Sequence, residues 1–431
     1  MEAELILFVV LITVAGAALG TFTGLVPGIH VNTLAALMIS FYPILSVTLS
    51  EIFPPGYVPV LVASCIISAA VVHSFVDFVP SVFLGAPDPD EVLNVLPGHR
   101  MLLDGDGMVA VRSAAIGSVV GTMTAIVVAI PMQMLLTGEL GDYLESITLC
   151  VLLITVVVMV TRESGIGMVW ALALFTISGA LGVMCMFMAD DPVGIIPGGS
   201  LLLPLLTGLF GIPAMLLSLN SGNIPDQKDE NDFPVGPGPG FKGAVAGGIV
   251  GWFPGITSTA GAVLASSVMP EKGGEKFISL VASIGSASTV FALITLSISG
   301  SGRTGTMLAA REVLGNSLSG TGNGIFLLML LSVATASLLG YFITIRSGRF
   351  MAGFVKNRDM NYLNRVIILF MVILVALMTG PFGLLILLAS SVAGLIPTSV
   401  NVSRMHLSGC LMLPAIILNS NLSTILENIF F

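Results

Sequence analysis

The chain has 431 residues, of which 55% are hydrophobic and only 9% charged, and its formal net charge is −9. A mean hydropathy of +1.04 excludes an ordinary soluble domain, in which about a quarter of the residues carry charge, and the negative balance argues against a nucleic-acid partner. The apolar runs approach the ~20 residues of a bilayer-crossing helix rather than alternating over short strands, so composition predicts an all-α polytopic membrane protein.

In chain order, Glu2 and Glu4 precede the first apolar run with no Lys or Arg, which is not the positive start of a secretory signal; the first segment is expected to be retained. Residues 4–45 form one hydrophobic block split at Pro27-Gly28, read as a re-entrant helical hairpin that does not fully cross. Spans are expected at about 57–83, 107–136, 143–160, 166–188 and 199–218. Residues 220–242 make a polar linker with Asp226, Lys228, Asp229, Glu230 and Asp232 and a Pro/Gly run, dividing the chain into 1–219 and 243–431. The second part opens with a block at 243–270 split at Pro254-Gly255 and continues with spans at about 275–298, 323–345, 366–379, 382–397 and 406–426. Cys65, Cys150, Cys185 and Cys410 lie in apolar segments without metal-ligand spacing and read as buried packing residues.

The two parts look like copies. With Pro27 set on Pro254, Gly20, Gly24, Gly28, Ile29, Ala35, Leu37, Ser40 and Pro43 also meet identical residues; with Pro213 set on Pro414, so do Gly208, Ala214, Leu217 and Asn220. Each copy is one broken hairpin plus five spans, and an odd number of crossings turns the second copy over, giving two inverted repeats. If both hairpins return to their starting side, Arg100, Arg112, Arg162, Lys228, Lys242, Lys272, Lys276, Arg346, Arg349, Lys356, Arg358, Arg365 and Arg404 share one side. The positive-inside rule makes that side cytoplasmic, with a cytoplasmic linker and both termini extracytoplasmic in the cell membrane.

A half-helix that begins after a Pro-Gly break aims free N–H groups and a positive dipole end at whatever lies ahead, which suits an anion. Pro27, Gly28, His30, Asn32 and Thr33 in the first copy, and Pro254, Gly255, Thr257, Ser258 and Thr259 in the second, are therefore substrate-site candidates. Arg303, with Ser301 in a Gly/Ser loop, is a candidate charge partner, because guanidinium grips carboxylate or phosphate bidentately. His73 and Asp77 lie four apart in an apolar span and share a helix face; with Asp88 and Asp90 they are the candidates for coupling to Na+ or H+. Gly117 and Gly121 form a GxxxG packing pair. No metal-spaced His/Cys set, phosphate loop or nucleophile-and-base pattern occurs in the sequence, so neither a cofactor nor an enzyme activity is expected.

The segment Gly24–Leu37, the run Asn94-Val95-Leu96-Pro97-Gly98 with Leu103-Asp104-Gly105, Asp191-Pro192-Val193-Gly194, Gly208–Pro213, and the second Pro-Gly segment with Glu271-Lys272 occur in the order of one family. Together they make the chain resemble the TctA family, the large membrane subunit of tripartite tricarboxylate transporters, and particularly its shorter archaeal-type members. The resemblance implies an ion-coupled permease that receives a carboxylate from an extracytoplasmic binding protein and works with a small membrane subunit. The sequence is thus read as a secondary transporter of a small organic anion working by alternating access. Two rivals stay open: a polyprenyl-phosphate translocase whose paired hairpins hold a lipid phosphate, and a membrane scaffold subunit without transport of its own.

Overall fold

The computed structural model describes residues 3–26, 31–85, 93, 95–136, 139–188, 194–195, 200–217, 224–229, 232–252, 258–300, 304–356 and 359–420. Its elements are helical throughout, as a chain of long apolar runs punctuated by Gly and Pro requires. Among the described residues, seven helices are long and apolar enough to cross a membrane.

Helix α1 (Ala3–Leu25) leads into the first break, α2 (Val31–Ser40) and α3 (Tyr42–Ser50) follow it, and α4 (Val58–Val76) comes next. At ~1.5 Å per residue, the 23 residues of α1 are long and apolar enough to cross a bilayer by themselves, a departure from the re-entrant hairpin expected at 4–45. Yet α1 and α4 run side by side in the same direction: Gly16 faces Cys65 and Ser68, Gly20 faces Ala69, and Gly24 faces His73 and Val76. The chain between them therefore returns to its starting side, as a hairpin must.

The helices that follow the linker show the same arrangement. Helix α5 (Phe78–Leu84), α6 (Val95–Leu103), α7 (Gly107–Leu136), α8 (Glu139–Thr161), α9 (Ile166–Phe187), α10 (Leu202–Leu206) and α11 (Ile212–Leu217) complete the first part, a π turn at Thr207–Gly211 joining the last two. Then α12 (Gly238–Trp252), α13 (Ser258–Val268) and α14 (Gly274–Ser299) form the second hairpin and its partner. Gly243 faces Leu280 and Ser283, Gly247 faces Ile284 and Ala287, and Gly251 faces Ser288 and Phe291. The register that sets Pro27 on Pro254 also sets Gly16, Gly20 and Gly24 on Gly243, Gly247 and Gly251. Each glycine meets the corresponding residue of the partner helix, Cys65 matching Leu280, Ala69 matching Ile284 and His73 matching Ser288. The same offset sets Gly85 on Gly300, and both end their helices with a left-handed residue, at φ 61° and 67°.

Helix α15 (Gly305–Leu314), α16 (Gly324–Val355), α17 (Met360–Ser399) and α18 (Gly409–Asn419) complete the chain. Ser332 bonds Ser64 and Thr344 bonds Phe75, so α16 runs with α4. Gly117 sits on Ser279 while Gln133 bonds Ser297, so α7 runs with α14 and with α12. Gly348 meets Val111 while Gly322 N–H reaches Gln133 Oε1, so α16 runs against α7. The α1–α4–α16 group and the α7–α12–α14 group are therefore antiparallel. Gly117 and Gly121 bring the α7 backbone against that of α14. Helix α17 is broken at Gly380, where φ is 66° and Pro381 offers no N–H, between the two spans expected from the sequence. Cys65, Cys185 and Cys410 are buried, but Cys150 is exposed on α8, a departure from the packing role read for all four.

The linker is fastened rather than loose. Arg112, 2% exposed near the start of α7, binds Asp229 at 2.5 Å and Asp232 at 2.8 Å, and Arg349 of α16 holds the other Asp229 oxygen at 2.7 Å. Gln227 accepts from the Gly107 N–H at 2.7 Å and donates to Leu102 O at 3.1 Å, Lys228 pairs with Asp106, and Lys356 pairs with Asp226. A buried guanidinium left without an anion would be strongly destabilising, so the linker's carboxylates complete that end of the bundle.

Candidate functional site

Many of the candidates lie outside the described residues: Pro27, Gly28, His30, Asp88, Asp90, Pro254, Gly255, Thr257, Ser301 and Arg303. Those that flank them are placed.

Asn32 begins the second residue of α2, directly after the first break, and stays exposed. Its Oδ1 accepts from the Thr306 N–H at 3.1 Å. Thr306 is in the first turn of α15, where free N–H groups need partners, and Thr304 supplies a second one as the N-cap, its Oγ1 accepting from the Met307 N–H at 3.2 Å. The structure thus joins the start of α2 to the start of α15, whose N-cap Thr304 follows Arg303 in the chain. Thr33 follows Asn32 on α2. In the second copy Ser258 and Thr259 open α13 and are buried, and Thr295 of α14 donates to Gly251 O at 3.2 Å just before that break.

His73 and Asp77 close the end of α4 against the last turn of α1. Both are buried, and His73 Nδ1 lies 3.0 Å from Thr23 Oγ1. In the register that pairs Ala69 with Ile284, His73 and Asp77 fall on Ser288 and Ala292, so the ionisable pair has no counterpart on α14. Behind it, His99 of α6 is buried near the left-handed Gly85, and burial lowers its pKa despite a hydrogen bond at Val82, favouring the neutral ring.

Away from the breaks, Glu163 follows α8 and receives the Ser403 N–H and His406 Nε2, each at 3.1 Å. Burial pushes its carboxyl up, but these hydrogen bonds and the His406 charge outweigh it and hold the pKa below 4.5. Asp229 behaves alike: burial raises it, while Arg349 and Arg112 bring it below 3.8.

Sequence reasoning missed Thr306, Thr23 and the linker carboxylates as partners. Thr306 bonds Asn32 through its backbone N–H, which any residue but proline offers, so it carries no local signature, and neither do Thr23 and the carboxylates.

The model of the Tripartite tricarboxylate transporter TctA family matches residues 10–409. The chain belongs to that family. It is an integral membrane protein of a transporter family whose role is of the tricarboxylate type, and members of the TctA family normally work with a small membrane subunit and a solute-binding protein. A relative of similar length, an uncharacterized protein of Methanocaldococcus jannaschii, is 24% identical over 414 residues, covering 94% of this chain and 97% of the relative. No solved structure matches the chain.

Proposed function

We propose that this TctA-family protein is an ion-coupled secondary transporter of a small organic anion, of di- or tricarboxylate type, that works by alternating access. The observation that carries the reading is the Asn32–Thr306 hydrogen bond. It places two helix starts side by side, with Arg303 next in the chain, and helix starts and a guanidinium are what a carboxylate seeks. The substrate is assigned to Pro27, Gly28, His30, Asn32 and Thr33 with Ser301 and Arg303, and to Pro254, Gly255, Thr257, Ser258 and Thr259 of the second copy.

The antiparallel helix groups support two inverted repeats, 1–219 and 243–431, rocking about that site. His73 and Asp77, with Asp88 and Asp90, are assigned to the coupling ion, Na+ or H+, because a buried ionisable pair in an apolar span beside the break has a functional rather than a packing value. The charged end with Arg112, Lys242 and Arg349 is assigned to the cytoplasm, with both termini outside. A small membrane subunit and an extracytoplasmic binding protein are the proposed partners.

The test is a thermal-shift screen of purified protein with di- and tricarboxylates, phosphate and short-chain polyprenyl phosphates, each with and without sodium. A ligand that binds the native state raises its stability by mass action. Sodium-dependent stabilisation by a carboxylate is expected; stabilisation by a polyprenyl phosphate alone would overturn the reading in favour of a lipid carrier.

A further inference from the structure

The last third of α16 carries an arginine where a lipid-facing helix has no use for one. Leu338, Phe342, Arg346, Phe350 and Phe354 recur every four residues and are all exposed, Phe342 by 67% and Phe350 by 75%. Residues at that spacing lie along one side of a helix, about 6 Å apart. The stripe is apolar above and below Arg346, so the guanidinium cannot be placed deep in hydrocarbon, nor does the helix end there to release it into water.

Beside the stripe lies a groove of about 480 Å³ lined by Phe342, Ile343, Ile345, Arg346, Ser347 and Arg349. Its walls are mostly apolar, and two guanidinium groups stand on it. Arg349 is anchored through Nε to Asp229, which fixes its position. Among the described residues no acidic side chain pairs with Arg346. The linker's carboxylates serve Arg112, Arg349 and Lys356 instead.

We propose that this groove binds the head group of an anionic phospholipid, with the phosphate on Arg346 and Arg349 and an acyl chain along Phe342 and Ile343. A phospholipid supplies both things the groove asks for: a phosphate that guanidinium binds bidentately and a hydrocarbon chain for an apolar wall. Phe350 and Phe354, both exposed, continue the stripe beyond the arginine. The start of α17 shows the same mixture, with Arg365 exposed among Tyr362, Val366 and Leu369. The assignment does not depend on what the protein transports.

The full chain in nanodiscs of phosphatidylcholine with graded phosphatidylglycerol, read by native mass spectrometry, tests it. The wild-type protein is expected to retain phosphatidylglycerol under activation that strips phosphatidylcholine. Arg346→Gln is expected to weaken that retention about fivefold, the effect of one basic residue at an anionic surface. Ile343→Trp, which fills the groove and leaves both arginines, is expected to weaken it too. Equal retention by all three proteins would overturn the proposal. So would Arg346-dependent binding of inorganic phosphate in phosphatidylcholine-only discs without lipid retention, which would mark a soluble-anion site. Loss of a co-purifying polypeptide in Arg346→Gln, with lipid retention unchanged, would overturn it in favour of a protein partner.

Discussion

Asn32 and Thr306, 274 residues apart in sequence, are joined by one hydrogen bond in which an exposed carboxamide caps a helix from the far side of the linker. The bond connects the two halves at the point where the first broken helix resumes. Replacing Asn32 by Ala is expected to lower stability by about 1 kcal/mol, the worth of one helix cap, and to abolish transport. Asn32→Asp keeps the acceptor and is expected to keep the stability. Thermal melts of the two variants check this, and an unshifted melt for Asn32→Ala would show that the bond contributes nothing.

The ion cluster at the linker makes a second prediction. Asp229→Asn removes the carboxylate shared by Arg112 and Arg349. A buried charge losing its partner costs about 3–5 kcal/mol, and because Asp232 remains near Arg112, the loss is expected at about 3 kcal/mol. Urea unfolding in detergent, with protease cleavage in the linker as a parallel readout, measures it; faster cleavage should accompany the lower midpoint.

The paired glycine stripes predict where small changes are intolerable. A β-carbon on Gly20 would collide with the Ala69 backbone, and one on Gly247 with Ala287 at 2.8 Å. Gly20→Ala and Gly247→Ala are each expected to destabilise by about 1–3 kcal/mol through overpacking. Gly353→Ala, which meets nothing within 4 Å, should leave the melt in place. Equal melts for all three would contradict the packing described.

Acid should loosen the contact between the α8–α9 turn and the turn before α18. Glu163 has a folded-state pKa below 4.5, so its stabilisation is complete above that value and is lost as pH falls through the depressed one. The melting temperature is expected to drop below about pH 4.5 in the wild-type protein, and Glu163→Gln should remove part of that drop. Parallel acid titrations of the two proteins would show it.

Much of this architecture was legible because membrane spans are written locally. The run expected at 107–136 is helix Gly107–Leu136, and that at 275–298 is Gly274–Ser299. The span expected to end at 345 continues to Val355, because hydropathy marks where an apolar run stops and Arg346 and Arg349 do not interrupt helical hydrogen bonding. The linker's attachment was not legible: Arg112 and Asp229 are 117 residues apart, and a long-range ion pair leaves no periodicity behind. At the site, the sequence marked both Asn32 and the Arg303 loop but gave no reason to join them, since their bond depends on how the hairpin packs against the other copy.

Uptake by proteoliposomes tests the central claim most directly. The full chain would be reconstituted and offered radiolabelled succinate and citrate under imposed sodium and proton gradients, beside Asn32→Leu and Thr257→Leu variants shown to remain folded. Gradient-driven accumulation by the wild-type protein, lost in both variants, is the predicted result; accumulation undiminished in the variants, or none in the wild-type protein under either gradient, would contradict it.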